Sequence, residues 1–109
     1  MLKRGNIVSI AVQGDFGKPR PALLIQSDMF NDAHATLSVL LISSELVDAP
    51  LFRLSIEPNQ VNGLTQPSQI QVDKVMTVRR DKVGQLIGSV DDAMMVRVNR
   101  ALALWTGLA

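Results

Sequence analysis

The chain contains no cysteine and a single histidine, His34. Without cysteine, a thiol nucleophile, a disulfide framework and a zinc–thiolate site are excluded. A metal site would need a cluster of carboxylates, and these are scattered along the chain. His34 lies in a polar turn with no recognisable nucleophile elbow, so a catalytic triad is not indicated. We therefore interpret His34 as an ordinary loop residue and predict neither a metal nor a cofactor.

The chain also lacks an excess of positive charge and has few aromatic side chains. Eleven basic and ten acidic side chains give a formal net charge of +1, far from the strongly basic balance of a nonspecific nucleic-acid-binding protein. Aromatic residues make up 4% of the chain and none is tyrosine, so a broad base-stacking platform is not expected. Any contact with nucleic acid must therefore come from a local basic patch.

Long apolar runs do not occur. The N-terminus lacks the apolar core of a signal peptide, and no segment approaches the length needed to span a membrane. We expect a soluble, cytoplasmic protein. With 109 residues, of which 47% are apolar, the chain suits one domain, residues 1–109, with a single core.

Short apolar or alternating segments separated by turn residues predict six or seven strands. These segments are residues 6–12, 22–26, 37–42, 52–56, two short runs at 70–72 and 75–78, and 83–87. The second segment is almost wholly apolar, which indicates a strand buried on both faces or in a closed barrel. Residues 28–33 predict one short helical turn capped by Ser27 or Asp28.

The last segment changes to helical spacing. Its apolar stripe consists of Met94, Val98, Leu102 and Trp105. Ser89 and Asp92 resemble a capping box, and Gly107 is a suitable stop. The stripe most simply packs on the core, and Arg97 and Arg100 on the other side either face solvent or meet a partner. Strands followed by one amphipathic helix predict a mainly β fold, a small curved sheet or barrel with the helix packed on it.

The segment from residue 14 to 28 combines a glycine-rich loop with an arginine between two prolines. Lys18 and Arg20 each precede a proline, which favours extended backbone. A guanidinium held at the mouth of a strand suits a phosphate, although Arg20 is equally compatible with a surface arginine flanking a strand. Ser43 and Ser44 end an apolar strand, either as caps or as polar groups facing a cleft. Asp73 is either a turn residue or a proton acceptor.

Several segments resemble, in order, motifs of the MazF/PemK (Kid) toxin family. They are residues 3–8, 17–26 with its Arg-Pro pair, 40–44, 62–64 and 67–74. The resemblance covers nearly the whole chain. It implies an SH3-like β-barrel of about seven short strands with a C-terminal amphipathic helix, acting as a homodimer.

The resemblance also implies an activity and partners. It implies the toxin of a type II toxin–antitoxin system, a sequence-specific, metal-independent endoribonuclease that cleaves single-stranded mRNA. Its cognate antitoxin would fold a disordered tail across the RNA groove. One alternative is a noncatalytic, gyrase-directed toxin of the same fold, similar to CcdB, which should lack the basic motif of Lys18 and Arg20. Another is a small RNA-binding or interaction barrel without turnover.

The family's functional residues carry over in part. Arg20 matches an arginine that stabilises charge on the scissile phosphate, and Ser43 stands where the family commonly has a catalytic threonine. Asp73 matches an aspartate that acts as base in one branch. That branch has an arginine where this chain has Gln71, and a histidine in the first loop, which is absent here. The resemblance therefore implies catalytic roles for Arg20, Ser43 and Asp73. It implies RNA-binding roles for Lys18, Ser44 and Gln71.

Overall fold

A computed structural model of the protein describes residues 1–11 and 18–109. Its elements are β1 (Asn6–Ala11), β2 (Pro19–Leu24), α1 (Asp28–Asn31), β3 (Thr36–Ser43), β4 (Arg53–Ile56), β5 (Ser68–Arg79), a 3₁₀ turn (Arg80–Lys82), β6 (Val83–Ser89) and α2 (Asp92–Thr106). Within these ranges the six strands form one antiparallel sheet in the order β4-β5-β3-β2-β1-β6. The predicted mainly β fold with a C-terminal helix is confirmed. Val12, the predicted end of the first strand, lies outside the described residues, as do residues 13–17 of the first loop.

The central strands are buried on both faces, as predicted for the second strand. Ile7 and Leu23 belong to a cluster that also contains Val98 of α2. Their chain neighbours Val8 and Leu24 point the opposite way and belong to a second buried cluster. Because successive side chains of a strand alternate between faces, two separate clusters require the sheet to be covered on both sides. The near-continuous apolar character of β1, β2 and β3 follows from this.

β2 begins earlier than predicted, at Pro19 rather than Ala22. Its first residues pair with the end of β1, so that Arg20 lies opposite Ile10 and Pro21 opposite Ser9. The two prolines already hold φ near the value of an extended chain, which brings Arg20 into the sheet itself.

The prediction of two short strands on either side of Asp73 and Lys74 is wrong. β5 is a single strand of twelve residues. In its pairing with β3, Val75 lies opposite Leu40 and Ile70 lies opposite Ile42. The register shifts between these two pairs, so residues 71–74 form an irregularity in the ladder. A bulge bends a strand without ending it, and polar residues within it look like a turn in the sequence.

The sheet closes through the segment that follows β4. The Ser89 N–H of β6 donates to the Val61 carbonyl oxygen at 3.0 Å. A Cβ on Gly63 would lie 2.3 Å from the Ile87 carbonyl oxygen, and one on Gly88 would lie 2.4 Å from that of Val61. The edge strand β6 therefore meets the segment after β4 backbone against backbone. The contact completes the small barrel that the sequence predicts.

Buried Asn62 orders the closing segment. Its side-chain amide donates to the Glu57 carbonyl oxygen at 2.8 Å, and its Oδ1 accepts from the backbone N–H groups of Asn59 and Leu64, both at 3.0 Å. Asn62 is 2% exposed, so these bonds are sheltered from water. The turn that carries Gly63 is fixed from within.

Helix α2 begins at a different cap from the one predicted. Asp91 is the N-cap, and its carboxylate accepts from the Met94 N–H at 2.8 Å. The capping box of Ser89 and Asp92 is wrong because Ser89 still belongs to β6. Gly107 ends the helix with φ of 82°, as expected. No helix within residues 1–11 and 18–109 is long and apolar enough to cross a membrane.

Only part of the helical stripe is buried. Val98 is fully buried, whereas Trp105 stays half exposed with its ring 5.2 Å from that of Phe52. Ala101, which the stripe did not include, is the second buried helix residue. Its small side chain lets α2 pack closely on the sheet. The short helix α1 is capped by Ser27, one of the two predicted caps, whose Oγ accepts from the Met29 N–H.

We predict that Gly63→Ala destabilises the protein far more than Gly107→Ala. Both glycines have positive φ, so both variants carry a backbone strain of about 1–2 kcal/mol. Only Gly63 meets another backbone, since a Cβ on Gly107 has nothing within 4 Å. The forced displacement should bring the loss for Gly63→Ala to about 3 kcal/mol or more. Urea unfolding of both variants measures the difference, and equal losses would show that the closure does not depend on this contact.

Candidate active site

A cleft of about 760 Å³ lies where β2 begins and β3 ends. Its lining consists of residues 18–21, 42–44, 64–66 and Ser68. Because β2 and β3 are antiparallel neighbours, the start of one and the end of the other meet at the same end of the sheet. The pairing of β2 with β3 ends at Ala22 and Leu41. Arg20 and Ser43 lie two residues beyond this last pair, and both line the cleft. The cleft is thus a direct consequence of strand order.

Four predicted site residues line this cleft: Lys18, Arg20, Ser43 and Ser44. Lys18 and Arg20 are exposed, and the described residues of the lining include no carboxylate. The Ser43 Oγ accepts the Glu45 N–H at 3.0 Å. A hydroxyl whose oxygen accepts in this way still has its own proton to donate. The cleft therefore combines two cations with a hydroxyl donor, which suits a phosphate group.

The other two predicted residues, Gln71 and Asp73, are not among the residues that line the cleft. Both lie on β5, where Gln71 pairs with Arg53 of β4. Arg53 holds Asp73 with two hydrogen bonds, from Nε to Oδ1 at 2.7 Å and from Nη2 to Oδ2 at 2.9 Å. The structure therefore brings Asp73 together with Arg53 rather than with Arg20 and Ser43.

The Arg53–Asp73 pair is largely shielded from solvent. The two side chains are 13% and 14% exposed. The hydrogen bonds from Arg53 lower the pKa of the Asp73 carboxyl, and those same bonds raise the pKa of Arg53. Desolvation opposes both shifts without reversing them. A carboxylate held in this way is a weaker proton acceptor than an ordinary aspartate.

Sequence reasoning missed two parts of this region. The alternation of residues 52–56 indicated that Arg53 points away from the core, but its partner depends on the register between β4 and β5, which has no local signal. Thr65 and Gln66 lie outside the predicted strands, and the barrel closure brings them to the cleft. Among the residues that the structure describes, no group of three or more histidine, aspartate or glutamate side chains is placed to hold a metal ion.

We predict that Asp73→Asn lowers stability at pH 7 by about 1–3 kcal/mol, because Arg53 would lose its charged partner. The folded-state pKa of Asp73 lies below its ordinary value of 3.8. The stabilisation is therefore complete above that value and is lost as the pH falls through the folded-state pKa. Urea unfolding at pH 7 and at decreasing pH should show the gap between wild type and variant closing in acid.

The pair Arg79–Asp81 is the matched control. Its atoms are 2.6 Å apart, but its side chains are 72% and 60% exposed. Asp81→Asn should cost less than about 1 kcal/mol, since exposed ion pairs contribute little. Equal losses for Asp73→Asn and Asp81→Asn would contradict a stabilising role specific to Asp73.

Comparisons with solved structures agree with the fold. One is an endoribonuclease in complex with its cognate antitoxin from a mycobacterial species, with a TM-score of 0.84, 23% identity, and coverage of 100% of this chain and 98% of that chain. Another is a MazE–MazF structure from Deinococcus radiodurans, with a TM-score of 0.76, 17% identity, and coverage of 99% and 98%. At these identities the likeness concerns the fold.

Sequence comparisons are more specific. A protein of Mycolicibacterium smegmatis named probable endoribonuclease MazF is 41% identical over 109 residues, which cover 99% of each chain. Endoribonuclease EndoA of Bacillus subtilis is 28% identical, over 95% of this chain and 93% of its own. Residues 3–106 match the family described as PemK-like, MazF-like toxin of type II toxin-antitoxin system. The chain belongs to this PemK-like, MazF-like family of toxins.

Proposed function

We propose that this chain is a toxin that acts as a sequence-specific endoribonuclease, cleaving single-stranded mRNA in the cleft between β2 and β3 without a metal ion. The observation that carries the proposal is that Arg20 and Ser43 line one cleft, together with Lys18. Family membership and the relative named probable endoribonuclease MazF support the same activity.

The proposed reaction uses a nucleophile that RNA itself supplies. The 2′-oxygen adjacent to the scissile phosphate forms a bond to phosphorus while the bond from phosphorus to the 5′-oxygen breaks. The 2′-hydroxyl proton leaves with an acceptor, and the departing 5′-oxygen gains a proton. The products are a 2′,3′-cyclic phosphate and a 5′-hydroxyl. DNA lacks the 2′-hydroxyl, so it cannot be cleaved by this route.

In this proposal the protein positions the strand and stabilises charge. Arg20 donates to the phosphate oxygens, whose charge increases as the fifth bond to phosphorus forms. Ser43 donates its remaining proton to the same group, and Lys18 and Ser44 hold the neighbouring backbone. The proton acceptor is a separate question. The ion pair with Arg53 and the position of Asp73 outside the cleft lining support a role in holding β4 to β5 rather than the predicted role as base.

The proposed partners follow from the family. We propose a homodimer in the cytoplasm, where mRNA is found, and a cognate antitoxin whose disordered tail covers the RNA cleft. A solved relative of the same fold is described in complex with its cognate antitoxin. A tail that orders only on binding can cover a long, shallow groove, and its release would restore activity.

We predict that Arg20→Ala lowers the rate of RNA cleavage at least about 100-fold, because it removes a donor to the developing negative charge. Arg20→Lys should recover part of the rate, since it keeps the charge but loses the planar fork. Purified proteins are incubated with a long RNA in EDTA, and the 5′ ends are mapped. Discrete cuts with 5′-hydroxyl ends are expected from wild type.

Arg79→Ala is the control for Arg20→Ala, because Arg79 is an exposed arginine that does not line the cleft. It should cleave at the wild-type rate. Intact RNA that is nevertheless tightly bound would support the interaction barrel instead. Unimpaired cleavage by Arg20→Ala would refute the assignment of Arg20.

Ser43→Ala should reduce the cleavage rate by about 10- to 100-fold, the value of one hydrogen bond to a charged group, whereas Ser43→Thr should keep most of it. The threonine variant retains the hydroxyl and matches the residue that the family commonly has at this position. Single-turnover cleavage rates of the two variants separate the effect of losing the hydroxyl from the effect of changing the side-chain volume. Equal rates for Ser43→Ala and Ser43→Thr would exclude a role for the hydroxyl.

A further inference from the structure

A second cleft, of about 600 Å³, lies on the other side of Arg20. The two clefts share residues 19–21, Leu64 and Thr65. The second is completed by Ser9 of β1 and by residues of β6 and the closing turn, namely Gly63, Gly84, Gln85 and Ile87. Arg20 and Thr65 thus stand between two adjoining clefts, one towards β3 and one towards β6.

Apart from Arg20, the described residues that line the second cleft offer hydrogen-bonding groups rather than charge. The Ser9 Oγ accepts the Gln85 backbone N–H at 2.8 Å, which leaves the hydroxyl proton available to a ligand. The exposed Gln85 side chain supplies both a donor and an acceptor. The described residues that line this cleft include no carboxylate and no aromatic ring. Hydrogen bonding to base edges, rather than stacking on aromatic rings, is the recognition that such a lining provides.

Gly84 makes this arrangement possible. A Cβ at this position would lie 2.5 Å from the Ser9 Oγ. Gly84 is not one of the positive-φ glycines of the described residues, so an alanine here would displace the Ser9 hydroxyl without straining its own backbone. A substitution at Gly84 in β6 therefore disturbs the Ser9 hydroxyl, which is a donor of the second cleft on the neighbouring strand β1.

We propose that the second cleft is a nucleotide subsite, in which Ser9 and Gln85 read the base on one side of the scissile phosphate while the first cleft holds the nucleotide on the other side. The inference rests on the proposed endoribonuclease function. A single strand whose phosphate is bound by Arg20 must leave that point in two directions, and a cleft leads away in each. Both volumes lie within the range of small-ligand sites.

The test compares cleavage of a random-sequence RNA pool by wild type and variants, with both sides of each cut sequenced. Gln85→Ala and Ser9→Ala should each weaken the base preference on the same side of the cut by about tenfold, the value of one hydrogen bond. Gln66→Ala, in the first cleft only, should alter the opposite side. Leu86→Ala is the matched control, since Leu86 is exposed beside Gln85 and lines neither cleft.

Gly84→Ala provides an independent variant, which should weaken the same side as Ser9→Ala because it displaces the same hydroxyl. Thermal unfolding of each variant confirms that it is folded. Gln85→Ala and Ser9→Ala could instead keep the wild-type base preference on both sides of the cut. That result would overturn the subsite and leave the endoribonuclease proposal intact. Equal weakening on both sides would also overturn it. Failure of the wild-type protein to cut any RNA in the pool would overturn the proposed function and the subsite together.

Discussion

The backbone contact that closes the barrel is the constraint on which the candidate site depends. Gly63 lies against the Ile87 carbonyl group, and Gly88 lies against the carbonyl groups of Val61 and Asn62. Leu64 and Thr65 follow directly, and they form the wall shared by the two clefts. If the closing turn moved outward by the width of a methyl group, both clefts would lose that wall. The close backbone contact that closes the barrel and the proposed chemistry therefore lie next to each other in the chain.

Two arginines of the same small sheet illustrate how stability and proposed function are separated. Arg53 is mostly buried and makes a two-pronged ion pair with Asp73, which joins β4 to β5. Arg20 is exposed at the mouth of a cleft with Lys18 and Ser43. The two hydrogen bonds to Asp73 use donors that Arg53 could otherwise offer to a phosphate. Strand position thus places Arg53 between β4 and β5 and places Arg20 in the lining of the cleft.

Local signals in the sequence were sufficient to predict much of the fold and part of the candidate site. Strand β2, the stop at Gly107 and the Arg20–Ser43 neighbourhood follow from apolar runs, a glycine and the resemblance of short motifs. The long strand β5 and the cap at Asp91 were missed for physical reasons. A bulge at residues 71–74 and a turn contain the same polar residue types, and only the pairing with β3 distinguishes them. The cap depends on where β6 ends, which its own residues do not mark.

The position of Arg53 bears on the departure of this chain from the family branch that uses an aspartate base. That branch has an arginine two residues before the aspartate, where this chain has Gln71. Arg53 is the residue paired with Gln71 across β4 and β5, so a guanidinium reaches Asp73 from the neighbouring strand instead. Yet a guanidinium bound to the carboxylate lowers its pKa and occupies its oxygens, and both effects weaken it as a base. We infer that Arg53 restores the charge balance of this region without restoring an acid–base pair. We therefore propose that catalysis in this chain depends instead on how Arg20 and Ser43 hold the phosphate.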